Sequence, residues 1–167
     1  MSRWYVVNTH PSAEGKAAWH LANQGFEVYL PQYLKRRRHA RKVELVKRAL
    51  FPNYLFLWMD VTLARWRSIS STIGVRRLVT AGDAPTAVPD GVIEEIRARE
   101  MDHGVVTLER LLPISKGAQV QIVAGLKAEI AGLFECESGE RRVTVLLNLL
   151  GRTVRARVPI ERVTAYG

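Results

Sequence analysis

Hydrophobic positions in the first hundred residues follow strand-like and helix-like patterns in turn. Runs rich in aromatic, aliphatic and β-branched residues predict strands at residues 4–7, 26–30, 50–59 and 75–79. Helix-forming stretches with turn residues at their ends predict helices at residues 13–24, 62–73 and 89–101. Residues 33–48 fit an extended hairpin or a loop. Residues 1–101 are therefore predicted to form an α+β domain, an antiparallel sheet flanked by helices.

The pattern changes after residue 101. Residues 102–115 contain helix and strand breakers and scattered charges, which predicts a linker. In residues 116–167, short apolar runs alternate with glycine turns, so strands are predicted at 118–123, 130–135, 142–148 and 152–158. Short strands of this kind are typical of a small all-β barrel. The run 143–150 is apolar enough for either a strand or a helix.

Residues 50–59 form the most apolar stretch, in which Asn53 and the hydroxyl of Tyr54 are the only polar side-chain groups. In a strand, Tyr54, Phe56 and Trp58 would point to one side and the leucines between them to the other. Both sides are apolar. One side is expected to face the core, and the other needs a helix or a protein partner.

Positive charge is concentrated directly before this stretch. The formal net charge is +9, and residues 35–48 contain eight lysines and arginines with Glu44 as the one acidic residue. Charge this localised indicates a surface for nucleic acid, or for a partner that carries nucleic acid. The alternative is a solvated loop that keeps the protein soluble.

Several classes of protein are disfavoured. The four histidines and the single cysteine, Cys136, have no metal-ligand spacing, and no phosphate loop, nucleophile elbow or carboxylate pair stands out. We therefore expect no cofactor, no metal and no enzymatic activity. A lone cysteine fits a reducing cytoplasm. The longest apolar run is about half the roughly twenty residues of a membrane helix, so we expect a soluble, cytoplasmic protein without membrane contact. We also expect a monomer.

The order of motifs resembles the NusG/RfaH family of transcription elongation factors, which join an NGN domain to a KOW domain. The resemblance begins at Trp4-Tyr5-Val6-Val7, is strongest at Leu50-Phe51-Pro52-Asn53-Tyr54-Leu55-Phe56, and continues through Ser71-Thr72-Ile73-Gly74-Val75 and Ala87-Val88-Pro89. In the C-terminal part, Lys116-Gly117, Val120, Ile122, Gly125-Leu126 and Gly132 are similar to the KOW pattern. Asn53, where the general factor commonly has glycine, and the run Leu146-Leu147-Asn148-Leu149-Leu150 favour the RfaH-like specialised branch.

The resemblance implies a surface for RNA polymerase. The NGN domain of such factors binds the clamp helices of the polymerase, spans the DNA cleft and suppresses pausing. Tyr54 and Phe56 match the contact strand, and Ile93 and Ile96 would complete the patch; the alternative for all four is ordinary core. A second contact would fall at Arg65, Arg67 and Ser68, although the hydroxyl-rich pattern of the RfaH branch is absent there. The alternative is a surface helix with Trp66 packed inward.

The resemblance also implies a DNA-binding surface for the non-template strand. Its residues would be Lys16, His20, Gln24 and Thr72, with Arg76 as a further candidate. Cationic, imidazole and amide side chains can contact phosphates and the edges of unstacked bases. The alternative is a polar helix face without a ligand.

The C-terminal domain of such factors binds a small-subunit ribosomal protein or the termination factor Rho. In RfaH-like members it can mask the polymerase site and change fold on release, and both possibilities stay open here. A rival interpretation is a KOW-type RNA-binding or ribosome-associated protein whose basic segment grips rRNA. That interpretation leaves the aromatic residues of 50–59 without a purpose.

Overall fold

The computed structural model describes residues 1–101, 104–107, 120–121, 130, 132–134, 138–150 and 164–165. The chain divides into two units, Met1–Thr107 and Leu108–Gly167. The strands of the first unit are β1 (Arg3–Thr9), β2 (Glu27–Tyr29), β3 (Gln32–His39), β4 (Lys42–Ala49), β5 (Tyr54–Met59), β6 (Val75–Leu78), β7 (Thr80–Ala81), β8 (Ala84–Pro85), β9 (Glu100–Met101) and β10 (Val105–Val106). Its helices are α1 (Glu14–Asn23), α2 (Val92–Ala98) and a 3₁₀ helix, Trp66–Ser71.

An antiparallel sheet in the order β2-β5-β1-β6 forms the centre of the first unit. Strands β1 and β5 are paired over six residues, with Val6 opposite Phe56 and Val7 opposite Leu55. The α+β class predicted for this part of the chain is therefore confirmed.

One face of this sheet packs against α1 and the 3₁₀ helix. Leu55 and Leu57 of β5 are fully buried there with Leu21 of α1 and Ile69 of the 3₁₀ helix. Burying a leucine or isoleucine side chain contributes about 1.5–3 kcal/mol. This contact holds α1 against the central sheet.

The helix predicted at 62–73 is wrong in extent and in type, because the structure has a 3₁₀ helix over Trp66–Ser71. Its backbone bonds join Ser68 N–H to the Arg65 carbonyl and Thr72 N–H to the Ile69 carbonyl. The hydroxyls of Ser68 and Ser71 donate to carbonyls three residues back, at 2.8 Å each. Serine side chains that bond to nearby backbone compete with a regular helix.

Two further boundaries differ from the predictions. The helix predicted over 89–101 is shorter, Val92–Ala98, and is followed by β9. The strand predicted over 50–59 begins only at Tyr54, because the chain turns at residues 51–53 and Asn53 has a φ of 68°. Asparagine is one of the few residues other than glycine that adopts this left-handed conformation readily.

Residues 33–48 form the predicted hairpin. Strands β3 and β4 pair antiparallel without interruption. Gln32 lies opposite Ala49 at one end and His39 opposite Lys42 at the other, and Ala40 and Arg41 form the turn. A second sheet has the order β4-β3-β10-β9. Strand β10 lies within residues 102–115, for which the sequence predicts a linker, and residues 102–103 and 108–115 of that range lie outside the described residues. A turn at Gly104, with a φ of 67°, allows Val105 to pair with Met101.

The described residues of the second unit contain both extended and helical segments. Strand β11 (Val120–Gln121) pairs antiparallel with β12 (Thr164–Ala165), and α3 spans Gly139–Leu150. The strand predicted at 142–148 is therefore wrong. Within the strand predicted at 130–135, residues 130 and 132–134 are helical.

The helical alternative for the run 143–150 agrees with the burial of α3. Its buried side chains, Arg142, Leu146 and Leu150, recur every fourth residue. The strand predicted at 152–158 lies outside the described residues. The all-β barrel expected for residues 116–167 is thus not confirmed.

Candidate functional site

The second face of the central sheet carries a cluster of aromatic rings, which we call the aromatic face: Trp4, Tyr29, Phe51, Phe56 and Trp58. The ring centroids of Trp4 and Trp58 are 5.3 Å apart, and those of Tyr29 and Phe56 are 6.2 Å apart. Phe51 packs edge-on against Phe56 at 5.6 Å. The cluster arises because β1 and β5 present aromatic side chains at opposed positions, such as Trp4 and Trp58.

Two charged residues contact the aromatic face: Arg97 of α2 and Glu100 of β9. The guanidinium carbon of Arg97 lies 4.9 Å from the ring centroid of Trp4 and 4.8 Å from that of Tyr29. Arg97 also forms an ion pair of 3.5 Å with Glu27. The arginine therefore holds two rings of the face through cation–π contacts.

The hydroxyl of Tyr29 donates a hydrogen bond to the carboxylate of Glu100. Burial raises the pKa of Tyr29 above its ordinary value, and the hydrogen bond to Glu100 and the negative charge of Glu100 raise this pKa further. The Tyr29 hydroxyl is therefore held as a neutral hydrogen-bond donor. Neither Arg97 nor Glu100 was singled out by the sequence, because both contacts depend on chain segments far apart in sequence.

The residues expected to contact RNA polymerase differ in exposure. Phe56 belongs to the aromatic face and is fully buried, and Ile93 and Ile96 of α2 are also buried. Tyr54 is half-buried. Trp58, the third aromatic side chain on the same side of β5, keeps 37% of its surface exposed.

The second expected contact lies at the beginning of the 3₁₀ helix. Arg65, Arg67 and Ser68 are exposed there, while Trp66 packs partly against the core. The guanidinium carbon of Arg67 lies 5.1 Å from the ring centroid of Trp66. This geometry agrees with the alternative in which Trp66 packs inward, and it still leaves two arginines at the surface.

Three of the expected DNA-binding residues, Lys16, His20 and Gln24, lie on α1 or directly after it, and we call this side of the helix its polar edge. The Gln24 side-chain amide donates to the Thr72 hydroxyl at 2.9 Å, which joins α1 to the loop before β6. Lys16 is exposed and His20 is half-buried on the same helix, and Arg76 is exposed on β6. The structure therefore brings Gln24 and Thr72 into direct contact across 48 residues of sequence.

A close backbone approach holds this loop against α1. A Cβ atom at Gly74 would lie 2.9 Å from the backbone nitrogen of Ala17, and Gly74 has a φ of 87°. Both the missing side chain and the left-handed conformation require glycine here. Gly74 thus determines how near Thr72 lies to the polar residues of α1.

Trp19 is a surface residue that the sequence-based prediction missed. It is 64% exposed, and its ring packs edge-on against His20 at 4.8 Å. An exposed aromatic ring beside a cation and an imidazole offers a surface on which an unstacked base can stack. The sequence did contain a signal for it, because a residue three positions after Lys16 on a predicted helix lies on the same side of the helix as Lys16.

The hairpin formed by β3, β4 and the turn between them is the third candidate surface, and we call it the basic hairpin. Every lysine and arginine in residues 35–48 is exposed.

Among the described residues, no group of three or more histidine, cysteine or acidic side chains is arranged to hold a metal ion. None of the helices in the described ranges combines the length and the apolarity needed to cross a bilayer.

The first unit thus combines an aromatic sheet face, whose rings are buried except for that of Trp58, with a polar helix edge and a basic hairpin. A family model described as "Transcription termination factor nusG" matches residues 2–97, and the chain belongs to this NusG family of transcription factors. The family consists of transcription factors rather than enzymes, in agreement with the expectation from the sequence.

Relatives match the chain over nearly its whole length. The transcription termination/antitermination protein NusG of Thermus thermophilus is 27% identical, covering 96% of each chain. That of Staphylococcus carnosus is 25% identical, covering 96% of this chain and 94% of the relative. A solved structure described as "Domain interaction in Thermotoga maritima NusG" covers 73% of this chain and 67% of its own, at 21% identity and a TM-score of 0.41.

Proposed function

We propose that this protein is a transcription elongation and antitermination factor that binds RNA polymerase across the DNA cleft and suppresses pausing. Its family membership and the names of its relatives support a role in transcription. The observation that carries the proposal is the aromatic face, because tyrosine, tryptophan and arginine provide most of the energy in protein interfaces. Pausing would decrease because the bound factor disfavours the paused state of the clamp.

The proposed contact with the clamp helices of the polymerase is centred on β5. Tyr54 is half-buried and Trp58 is partly exposed, so both can meet a partner directly. Phe56, Ile93 and Ile96 are buried, and these side chains can contact the polymerase only after they are uncovered. We therefore propose that docking includes an opening step, whose cost lowers the apparent affinity.

The two remaining surfaces are assigned to the far side of the cleft and to DNA. Arg65, Arg67 and Ser68 would contact the opposite jaw of the polymerase. Lys16, His20, Gln24 and Arg76 would contact the non-template strand. Thr72, also expected in this site, is buried and would act by holding the Gln24 side chain. The hydrogen bond between Gln24 and Thr72 supports a common surface formed by α1 and the loop before β6.

We also propose that the protein belongs to the RfaH-like branch. Asn53 adopts the left-handed conformation at the position where the general factor commonly has glycine. The segment Gly139–Leu150 is helical where the KOW barrel pattern predicts a strand. We propose that this segment is helical while the second unit masks the polymerase site and becomes extended when the second unit is released from that site. The released domain would then bind a small-subunit ribosomal protein or Rho.

An in vitro transcription assay on a template with a defined pause site tests this function. We expect the purified protein to shorten the pause, and Tyr54→Ala to reduce this effect. Loss of a half-buried interface tyrosine typically costs about 2 kcal/mol, or roughly thirtyfold in affinity. Leu57→Ala is the matched control, because Leu57 lies on the opposite, core side of β5 and its loss affects stability instead. Unchanged pausing in the presence of the wild-type protein would contradict the proposal.

A second candidate function, RNA binding in association with the ribosome, is favoured only by the basic hairpin. Polymerase binding and rRNA binding are separable by salt, because contacts made only with phosphates weaken steeply as salt increases. An affinity for rRNA above that for RNA polymerase would favour this second function.

A further inference from the structure

The two faces of the basic hairpin differ in their chemistry. The register places Leu34 opposite Lys47, Arg36 opposite Leu45 and Arg38 opposite Val43 on one face, which we call the acid-free face. Glu44, the one acidic residue of the hairpin, lies on the other face, opposite Arg37. The other face also carries Lys35, Lys42 and Arg48, so three cations on one face stand against four cations and one carboxylate on the other, and the net charges are equal. The acid-free face differs in that no carboxylate of the hairpin lies among its cations.

The acid-free face also exposes aliphatic side chains between its cations. Leu34 is 45% exposed, Val43 61% and Leu45 63%. On the other face, the apolar side chains Tyr33 and Val46 are half-buried. The alternation of cations with exposed aliphatic groups is a combination that can contact phosphates, sugars and the methyl groups of thymine.

We propose that the acid-free face of the basic hairpin binds duplex DNA along a groove. This binding surface is separate from the aromatic face and from the polar edge of α1, and it goes beyond the polymerase contact proposed above. Arg36, Arg38 and Lys47 contact phosphates, and the three aliphatic side chains contact sugars and base edges. The contact adds affinity for DNA without requiring a particular sequence.

The dimensions of the hairpin match duplex DNA. Beyond Gln32, the described strands pair β3 with β4 alone, so the hairpin is a two-stranded ribbon. The major groove of B-DNA, about 12 Å wide, admits such a ribbon. From Tyr33 to His39 the strand spans about 20 Å, roughly six base-pair steps. Side chains two residues apart, such as Arg36 and Arg38, are about 6.8 Å apart, close to the rise of two nucleotides.

Other nucleic acids fit less well. The major groove of an RNA duplex is deep and narrow, and side chains cannot read it. Single strands are held mainly by stacking on aromatic rings. Between Leu34 and Arg48 the hairpin contains no phenylalanine, tyrosine or tryptophan. These arguments favour duplex DNA over duplex RNA and over a single strand.

Protection against aggregation is a second use of charge on unpaired strand edges. That use requires only a few charges and no preference between the two faces. Protection against aggregation does not explain why Glu44 lies on one face and the exposed aliphatic side chains on the other, whereas binding in a DNA groove does. A matched pair of variants separates the two explanations.

The test measures binding of the full chain to a short duplex DNA by fluorescence anisotropy over a range of salt concentrations. Arg36→Gln/Arg38→Gln removes two charges from the acid-free face. Lys35→Gln/Arg37→Gln removes two charges from the other face of the same strand and serves as the matched control. All four side chains are exposed, so both variants are expected to fold.

We expect the Arg36→Gln/Arg38→Gln variant to bind duplex DNA at least tenfold more weakly. The slope of log affinity against log salt should decrease by about 1.8, since each phosphate contact contributes about 0.9. The control should keep the wild-type slope. A third variant, Val43→Ser/Leu45→Ser, should lose affinity without a change in slope, because it removes contacts and no charge.

Equal losses of DNA affinity in the two charge variants would overturn the proposal, because they would show that DNA is attracted by the total charge of the hairpin and not by one face. Tighter binding of a duplex RNA of the same length would also overturn it. So would a loss of single-stranded DNA binding in Arg36→Gln/Arg38→Gln as large as its loss of duplex binding, because single strands are assigned above to the edge of α1. RNA polymerase binding, measured separately, is expected to be the same in all three variants and the wild type. A failed DNA experiment is thereby distinguishable from a failure of the polymerase proposal.

Discussion

The carboxylate of Glu14, in the first turn of α1, accepts a hydrogen bond of 2.8 Å from the backbone N–H of Asn53. The Asn53 carbonyl in turn accepts hydrogen bonds from the backbone N–H of Thr9, at 2.7 Å, and from the side-chain amide of Asn8, at 3.0 Å. The turn before β5 is thus attached to α1 and to β1. This network positions Tyr54, the first residue of the strand that carries the proposed polymerase contact.

Replacing Glu14 by alanine should therefore loosen the beginning of β5. A hydrogen bond to a charged group contributes about 1.5–3 kcal/mol, so Glu14→Ala should lower the free energy of unfolding by an amount in the lower part of that range. Chemical denaturation measures this change. Glu94→Ala, at an exposed position in the first turn of α2, is the matched control and should have a smaller effect. Equal effects would show that the contact with Asn53 contributes nothing.

Asn53 itself should tolerate glycine but not alanine. Its φ of 68° lies in the left-handed region, where alanine costs about 1–2 kcal/mol and glycine costs little. We expect the Asn53→Ala variant to be less stable than Asn53→Gly by about this amount in thermal or chemical denaturation. Equal stability of the two variants would contradict the described turn.

Gly74 and Gly15 form a second informative pair. Gly74→Ala should destabilise the protein by at least about 1 kcal/mol, because its Cβ would lie 2.9 Å from the Ala17 backbone and its φ is 87°. Gly15→Ala should stabilise the protein by about 0.5–1 kcal/mol, because Gly15 lies within α1 and has open space around it. Denaturation curves of the two variants should therefore shift in opposite directions, and shifts in the same direction would contradict the close approach.

The hydrogen bond between Tyr29 and Glu100 predicts a dependence of stability on pH. Because the pKa of Tyr29 is raised in the folded state, its contribution is fully present below the ordinary tyrosine pKa of about 10 and is lost as pH rises above it. Tyr29→Phe should cost about 1 kcal/mol near neutral pH. The difference in unfolding free energy between the wild type and Tyr29→Phe should narrow above about pH 10, and a constant difference would argue against a raised pKa.

The proposed change of fold in the second unit is testable in the full chain. A protease site inserted between the two units, after Thr107, allows the connection to be cut in the folded protein. We expect the helical circular dichroism signal to decrease after cleavage, as Gly139–Leu150 becomes extended. The same site inserted in the turn between β7 and β8 is the control and should leave the signal unchanged. A helical signal that persists after cleavage between the units would refute the change of fold.

The sequence predicted the architecture of the first unit well because its two central strands, β1 and β5, carry apolar side chains on both faces. Its failures have local causes. Serine hydroxyls at positions 68 and 71 shorten the second predicted helix into a 3₁₀ segment, and the left-handed Asn53 delays the start of β5. In residues 143–150 the hydrophobic pattern fits two periods, and packing decides between them.

The candidate site was only partly predictable. The aromatic residues of β5 and the basic segment are contiguous in sequence and could be found by inspection. The contacts of Arg97 with Trp4 and of Gln24 with Thr72 join residues 93 and 48 positions apart, which local patterns do not encode. Whether a ring in an apolar strand is exposed also depends on tertiary packing, as the burial of Phe56 and the partial exposure of Trp58 show.

The measurement that tests the central claim most directly is the affinity of purified RNA polymerase for the wild-type chain and for Tyr54→Ala/Phe56→Ala. We expect the wild type to bind and the double variant to lose at least about thirtyfold in affinity. Leu55→Ala/Leu57→Ala, on the core side of the same strand, controls for loss of stability and should bind more tightly than Tyr54→Ala/Phe56→Ala when both are folded. Absence of binding by the wild type, or equal binding by the wild type and Tyr54→Ala/Phe56→Ala, would contradict the account.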